Sequence, residues 1–249
     1  MIHYHGGPIT PETCAIRAWS GRHAFVSFAA PAQVKLAAGV CQSFALDNGA
    51  FTRWKQGGGG DWTGYYEWAR LWLGHPACDF AIIPDVIGGS EEANDALLDE
   101  WPLGHRGVPV WHLHSSPERL ARLAAEWPRV ALGSSGDYDV ASPYQCLARL
   151  AEVLPRICDE LRRPTVKLHG LRMLRPEIVT AVPLASADST NVARNIGLDV
   201  HWKGSYQPAT KEGRVDVLID RIEAHQAPPD CSELPAVQER MRFGGLALE

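Results

Sequence analysis

The sequence predicts a (β/α)8 (TIM) barrel, and two observations support this fold class. Eight short apolar runs occur along the 249 residues, and segments with helical periodicity separate most of them, as in a parallel βαβ sheet. Each run also ends in small, polar or ionisable residues, and barrel enzymes place their active sites at the carboxyl ends of the strands. The predicted strands are Ile2–His5, Ala24–Phe28, Ser43–Asp47, Asp79–Pro84, Val108–Leu113, Val130–Gly133, Thr165–His169 and Pro183–Asp188.

Helices are predicted between these strands from their first residues and their apolar spacing. Thr10-Pro11, Ser116-Pro117 and Ser142-Pro143 each place a capping hydroxyl before a proline suited to the first helical position. The predicted helices are Pro31–Ala38, Trp62–Leu73, Ser90–Trp101, Pro117–Trp127, Pro143–Leu161, Pro176–Ala181, Gly213–His225 and Glu233–Met241. We expect one domain over residues 1–249, with the barrel strands in residues 1–190 and a C-terminal helical extension in residues 191–249 that closes the barrel.

Composition excludes several classes of protein. The chain has no apolar run near the roughly 20 residues that a membrane helix needs, and its N-terminus does not read as a signal peptide. Its six cysteines are scattered singly, which favours reduced thiols and a cytoplasmic location. The formal charge of −5 means that a nucleic-acid partner would need a local basic surface. Candidates for it are Arg162, Arg163, Lys167, Arg172, Arg175, Arg194, Lys203, Lys211 and Arg214, although a solvated surface explains such charges as well.

Three aspartates end predicted strands and are the first candidates for chemistry. Asp47, Asp85 and Asp188 would point into the barrel mouth, where like charges at short range are costly unless a proton or substrate is shared. Asp47 precedes Asn-Gly and Asp188 precedes Ser-Thr-Asn, so an Asx-turn is the alternative role for each. Gly49 would let the chain turn tightly after Asp47.

Histidines add to the same edge of the barrel. We expect one of His112 and His114 to face the interior, and His169 and His5 end the seventh and first strands. Histidine and aspartate together also fit a metal centre of the kind that barrel hydrolases use. The run Gly57–Gly60 lacks the ending of a phosphate loop, so it predicts a flexible connector or a lid, with Trp54 or Trp62 available to stack on a base.

The order of these motifs resembles the tRNA-guanine transglycosylase superfamily, in particular its small phage and mobile-element relatives and its DNA-acting, deazaguanine-inserting branch. The family motif Asp-Ser-Gly-Gly-Phe/Tyr-Gln is matched by Asp47-Asn-Gly-Ala-Phe51, and an acidic residue that reads the base is matched by Asp85. Its base-contacting turns resemble the segments 132–136 and 168–172. Its nucleophile motif resembles Asp188-Ser-Thr-Asn-Val-Ala-Arg194-Asn195. The similarity covers residues 40–195.

The resemblance implies an enzyme that cleaves a base–sugar bond through an aspartate nucleophile. Asp188 would be that nucleophile and Asp47 the acid or base that manages the proton of the leaving base. The implied base-binding residues are Phe51, Asp85, His112, His114, Gly133, Ser134, Ser135, Gly136 and His169. The implied nucleic-acid-binding residues are Trp54, Arg172, Arg175, Arg194 and Lys203.

Two departures from the family change the expected substrate. The zinc-binding Cys-x-Cys-x-x-Cys…His insertion that helps to hold tRNA is absent, so no metal and no cofactor is expected and DNA is the expected nucleic acid. A histidine in the segment 111–114 stands where the family has the glutamine that reads the purine. Excision of a modified base, as a defence against foreign DNA, is therefore as plausible as exchange for a free 7-deazaguanine-type base.

Two alternatives from other classes stay open at the level of sequence. One is a metal-dependent barrel hydrolase that uses His5, His112, His114 and Asp188. The other is a non-catalytic barrel that only binds a nucleoside or nucleic acid.

Overall fold

The chain forms an α/β fold in which a parallel sheet curves into a nearly closed, TIM-like barrel. The structure is a computed structural model that describes residues 1–57, 60–134, 136–197, 202 and 206–234. Within these residues the strands are β1 (Ile2–Gly6), β2 (His23–Ser27), β3 (Ser43–Asp47), β4 (Cys78–Ile82), β5 (Gly107–Val108), β6 (Val110–His112), β7 (Arg129–Gly133), β8 (Lys167–Gly170) and β9 (Ser186–Ser189). All the pairings between them are parallel, which confirms the predicted α/β class.

The strand order explains the shape of the sheet. It runs β5-β4-β3-β2-β1-β9-β8-β7-β6, so the two edge strands are consecutive in the chain and only Pro109 separates them. The prediction of one strand over Val108–Leu113 is thus corrected to two short pieces. Proline has no amide hydrogen for the ladder, but the carbonyl of Pro109 still accepts a hydrogen bond from the amide of Ala131 at 2.9 Å.

Helices follow most strands and cover the outside of the sheet. They are α1 (Glu12–Trp19), α2 (Val34–Val40), α3 (Ala50–Lys55), α4 (Thr63–Leu73), α5 (Glu91–Glu100), α6 (Pro117–Glu126), α7 (Pro143–Val153), α8 (Pro176–Val179), α9 (Asn191–Asn195) and α10 (Lys211–Glu223). Sequence periodicity did not predict α3 and α9, which are only six and five residues long. The predicted helix over Glu233–Met241 extends outside the described residues from residue 235 onward.

Of three predicted helix ends, one is confirmed by the structure and two are corrected. Ser116 caps α6 as expected, since its Oγ accepts a hydrogen bond from the amide of Arg119 at 3.2 Å. Thr10 does not cap α1, because that helix begins at Glu12 and has Pro11 in the N-cap position. The single helix predicted over Pro143–Leu161 instead ends at Val153 and tightens into a 3-10 turn at Leu154–Ile157, where Pro155 cannot donate the next helical hydrogen bond.

Two apolar clusters stabilise the barrel. The smaller one fills its interior with alternate strand residues, including Tyr4, Phe25, Phe80 and Val110. The larger one lies between the strands and the helices. Helix α10 packs along α1, where Arg17 donates two hydrogen bonds to Asp216 at 2.7 and 2.8 Å. Among the residues described, no helix has the length and apolar character to cross a membrane.

Candidate active site

A cavity of about 580 Å³ opens at the carboxyl ends of the barrel strands. Side chains alternate along each strand, so the last inward-facing residue of a strand points into this opening. Ser27, Asp47 and Asp188 reach the cavity in this way, from β2, β3 and β9, and the backbone of Gly133 at the end of β7 also lines it. Asp85 and His112 line it as well, so the structure brings together all three predicted aspartates and one of the predicted histidines.

The carboxylate of Asp188 is held by a backbone amide from another segment and does not close the turn that follows Asp188. Asp188 is 3% exposed, and its Oδ1 accepts a hydrogen bond from the amide of Arg172 at 2.9 Å. Arg172 has a left-handed backbone (φ 61°), a conformation that is uncommon for a residue with a side chain and that is often found at functional sites. The following turn is closed by Ser189, whose Oγ accepts from the amide of Asn191 at 3.0 Å. Among the described residues, no hydrogen bond to the second oxygen of Asp188 is found.

Asp47 faces the same cavity in an environment that favours its protonated form. Burial raises the pKa of its carboxyl to about 7, and the negative charges of Asp188 and Asp85 also raise it. A hydrogen bond with Ser27 and one from the amide of Gly49 lower the pKa but do not outweigh burial. Gly49 adopts φ 75°, as the tight turn predicts, and a Cβ there would lie 2.9 Å from the amide nitrogen of Ala29.

Asn48 connects the turn after β3 to Asp85. Its Nδ2 donates to Asp85 Oδ1 and to the carbonyl of Ile83, both at 2.8 Å, and its Oδ1 accepts from the amide of Ala50 at 2.8 Å. The turn after Asp47 is thus closed by the side chain of Asn48. The second oxygen of Asp85 lies 3.1 Å from His112 Nε2, although the imidazole is not aligned for a hydrogen bond.

His112 is buried and lines the cavity, but neither of its ring nitrogens has a hydrogen-bond partner among the described residues. The Oγ of Ser134, on the same cavity wall, is also buried and unpartnered there. Gly133 makes room for the imidazole, since a Cβ at this position would lie 2.9 Å from His112 Nδ1. Buried polar groups without partners are costly, so this part of the wall is suited to a ligand that supplies the missing hydrogen bonds.

His114 and His169 were predicted to bind the base, but neither lines the cavity. Strand β6 ends at His112, so His114 does not continue into the barrel. It is exposed and stacks on the His112 ring at 5.4 Å between centroids. His169 lies below the cavity among Tyr4, Phe25 and Phe80, and burial lowers its pKa. Its Nε2 is 3.5 Å from Asp188 Oδ1 without forming a hydrogen bond, and its Nδ1 is hydrogen-bonded to Ser186 Oγ at 2.8 Å.

Of the aromatic residues that were candidates for stacking on a base, only Phe51 lines the cavity among Phe51, Trp54 and Trp62. The guanidinium of Arg172 and the ammonium of Lys55 lie 4.7 and 4.5 Å from the Phe51 ring centroid. Trp54, on the same helix, is 54% exposed. Trp62 is buried beneath the Arg53 guanidinium. Gly58 and Gly59, at the centre of the predicted lid, lie outside the described residues.

Three of the five predicted nucleic-acid-binding residues lie next to the cavity. Arg172 and Arg194 line it, and both also line a second cavity that contains Arg175. Lys203 and Ser135 lie outside the described residues. Gly136 begins a 3-10 turn that ends at Tyr138.

The ligand set of the metal-hydrolase alternative does not come together. His5 points away from the barrel interior toward α10, where its Nε2 lies 2.9 Å from Glu223 Oε1. The residue that faces the interior of β1 is Tyr4. Within the described part of the chain, no group of three or more His, Cys, Asp and Glu side chains is arranged to hold a metal ion.

Sequence reasoning missed Asn48, Ser27 and Lys55. The signal for Ser27 was available, because it is the polar residue that ends β2. The role of Asn48 had no local signal, since its partners Ile83 and Asp85 follow it by 35 and 37 residues.

We expect Asn48→Ala to lower the free energy of unfolding by about 2–3 kcal/mol, because three buried hydrogen-bonding groups lose their partner. Urea denaturation followed by circular dichroism measures the change. The matched control is Asn191→Ala, at an exposed asparagine, which should alter stability by less than about 0.5 kcal/mol. Equal midpoints for the two variants would contradict the role given to Asn48.

In comparisons with known proteins, no protein-family model matches this chain, and no curated protein sequence is significantly similar to it.

Proposed function

We propose that this protein breaks the N-glycosidic bond of a nucleotide in nucleic acid, with Asp188 as the nucleophile and Asp47 as the acid. One observation carries the proposal. Two carboxyl groups face one cavity, and the environment raises the pKa of Asp47 to about 7 while Asp188 accepts a backbone hydrogen bond. Two carboxyl groups on one cavity, one of which can give up a proton near neutral pH, form the arrangement that glycosidic bond cleavage uses.

The reaction would proceed in two balanced steps. An oxygen of Asp188 attacks the anomeric carbon, the bond from that carbon to the base nitrogen breaks, and Asp47 gives its proton to the departing base. In the second step water or a new base attacks the same carbon and releases Asp188. The Asp47 carboxylate takes the proton of the incoming group, which restores the starting state. Attack by water makes the protein a glycosylase, and attack by a base makes it a transglycosylase.

We assign recognition of the base to the part of the cavity wall that Asp85, His112 and Ser134 form. Asp85 accepts hydrogen bonds from the base edge, and the unpartnered nitrogens of His112 and hydroxyl of Ser134 supply further contacts. A base in a duplex has to leave the stack to reach this cavity. The cavity volume of about 580 Å³ is large enough for a nucleoside that carries a substituent, which favours a modified base.

The motif resemblance to the tRNA-guanine transglycosylase superfamily supports the same proposal. The sheet has nine strands in the described residues, and we propose that β5 and β6 are one strand interrupted at Pro109, which would give the eight-strand count of a (β/α)8 barrel. We propose DNA as the nucleic acid, because the chain lacks the zinc-binding insertion by which that family helps to hold tRNA.

The test is incubation with single- and double-stranded DNA that carries normal or modified bases, with and without added 7-deazaguanine. Mass spectrometry detects the free base and the change in mass of the oligonucleotide. Release of a base supports glycosidic cleavage, and a gain in oligonucleotide mass identifies base exchange. The same sequences as RNA are run in parallel. Release from RNA alone would overturn the choice of DNA, and no release from either would overturn the enzymatic proposal.

A further inference from the structure

A second cavity of about 410 Å³ adjoins the first and is lined by arginine side chains. Arg172, Arg175 and Arg194 contribute three positive charges to its wall, and Arg172, Thr190 and Arg194 are shared with the base-binding cavity. No aspartate or glutamate is among the described residues that line it. This is the charge distribution of a site for an anion.

Among the described residues, these guanidinium groups have few partners. Arg175 Nη1 donates to the carbonyl of Val140 at 3.1 Å, which anchors it, while Glu177 is 3.7 Å away at the half-exposed surface. The Arg172 guanidinium is held against the Phe51 ring. The Arg194 side chain has no hydrogen bond to any residue that the structure describes. Planar guanidinium groups bind phosphate through paired hydrogen bonds, which makes phosphate the ligand class that suits this wall.

The second cavity is also tied to the proposed nucleophile. Ser189 and Thr190 follow Asp188 directly, and the Arg172 amide bonds the Asp188 carboxylate. The Oγ of Ser189 accepts a hydrogen bond from the Asn191 amide, and its own proton has no acceptor among the described residues. A nucleotide whose sugar lies over Asp188 would therefore place an adjacent phosphate among the arginines.

We propose that this cavity is a phosphodiester subsite, so that the protein acts on nucleotides within a chain and rejects free nucleosides. The chemical part of this inference rests on the proposed function, whereas phosphate binding itself does not. Arg175 is the most informative residue, since it lines only the second cavity.

The binding experiment avoids glycosidic chemistry altogether. Isothermal titration at low salt compares a trideoxynucleotide whose central residue is an abasic tetrahydrofuran with its uncharged methylphosphonate analogue. We expect the phosphodiester probe to bind at least tenfold more tightly than the analogue. Arg175→Gln should remove most of that difference and lower the dependence of the logarithm of affinity on the logarithm of salt concentration by about 0.7.

The controls separate this site from general charge effects and from unfolding. Arg156→Gln removes an exposed arginine that pairs with Glu118 and lines neither cavity, so it should leave the affinity within twofold. Arg194→Gln, at an exposed side chain, should weaken the phosphodiester probe as Arg175→Gln does. Equal affinity for the two probes, or equal loss in Arg156→Gln and Arg175→Gln, would overturn the subsite.

Base release then distinguishes the two proposals. If phosphodiester binding depends on Arg175 but no nucleic acid releases a base, the subsite stands and the proposed function fails. If wild type and Arg175→Gln release base equally well, from the nucleoside as from the oligonucleotide, the function stands and the subsite fails.

Discussion

Replacement of Asp188 by Asn should lower base release at least about a thousandfold, which is the largest effect that we expect from any single change. Asparagine keeps the shape of the side chain and the oxygen that accepts the Arg172 amide, so the fold around it should persist. It loses the negative charge and the nucleophilic oxygen. The measurement is the initial rate of base release by mass spectrometry, on whichever nucleic acid the wild type accepts.

The matched control for this change is Asp220→Asn, at an exposed aspartate on α10, and it should release base at the wild-type rate. Circular dichroism and urea denaturation of both variants establish that they fold. Retention of more than a tenth of the wild-type rate by Asp188→Asn would show that another group attacks the sugar, and the role of Asp188 would have to be withdrawn.

The second large effect is expected from Asp47→Asn, which should stabilise the protein at alkaline pH. The pKa of Asp47 is about 7 in the folded chain against an ordinary value of 3.8, so the folded state holds this proton more tightly than the unfolded state does. As the pH rises from 3.8 to 7, the unfolded chain loses the proton first, and the free energy of unfolding falls. The full shift corresponds to at most about 4 kcal/mol at pH 8, and at pH 3 the contribution is absent.

Asparagine cannot ionise, so the free energy of unfolding of the variant should rise progressively relative to that of the wild type between pH 4 and pH 8. Urea denaturation at pH 4, 6 and 8 measures the gain, with Asp220→Asn again as the control that shows no such trend. A constant difference between wild type and Asp47→Asn over this range would mean that Asp47 has an ordinary pKa, and the assignment of an acid would lose its main support.

Activity should change in the opposite direction to stability. If Asp47 gives a proton to the departing base, the wild-type rate falls as the pH rises through about 7, and Asp47→Asn is slow at every pH without that decline. A more stable and less active variant is the outcome that a strained catalytic group produces. A wild-type rate that instead rises through pH 7 would identify Asp47 as a base in the slow step.

The sequence predicted the barrel class and the aspartates at the carboxyl ends of the strands with useful accuracy. Asp47 is the last residue of β3, and Asp188 lies one residue before the end of β9. Such predictions succeed because an apolar run and the polar residue that ends it are neighbours in the chain. The pieces that were missed are α3, α9 and the break at Pro109. They are too short for a helical or a strand period to be recognised in the sequence.

The sequence did not predict how deep in the barrel each strand-end side chain lies. His112 is the last residue of β6 and His169 is the last but one of β8, yet His169 lies among interior aromatic rings and His112 lines the cavity. His114 follows His112 by two residues but leaves the barrel because β6 has ended. His5 faces α10 and pairs with Glu223, 218 residues later. These outcomes depend on where a strand starts relative to its neighbours in the sheet.

Local patterns in the chain therefore specify the alternation of strands and helices and the residues that end each strand. Closure of the sheet decides which of those residues meet. It gathers Asp47, Asp85 and Asp188 around one cavity, assigns the turns to Asn48 and Ser189, and raises the pKa of Asp47 through burial and two distant charges. Periodicity reflects contacts between near neighbours, whereas desolvation and charge–charge energies depend on groups that only the folded chain brings within a few ångströms.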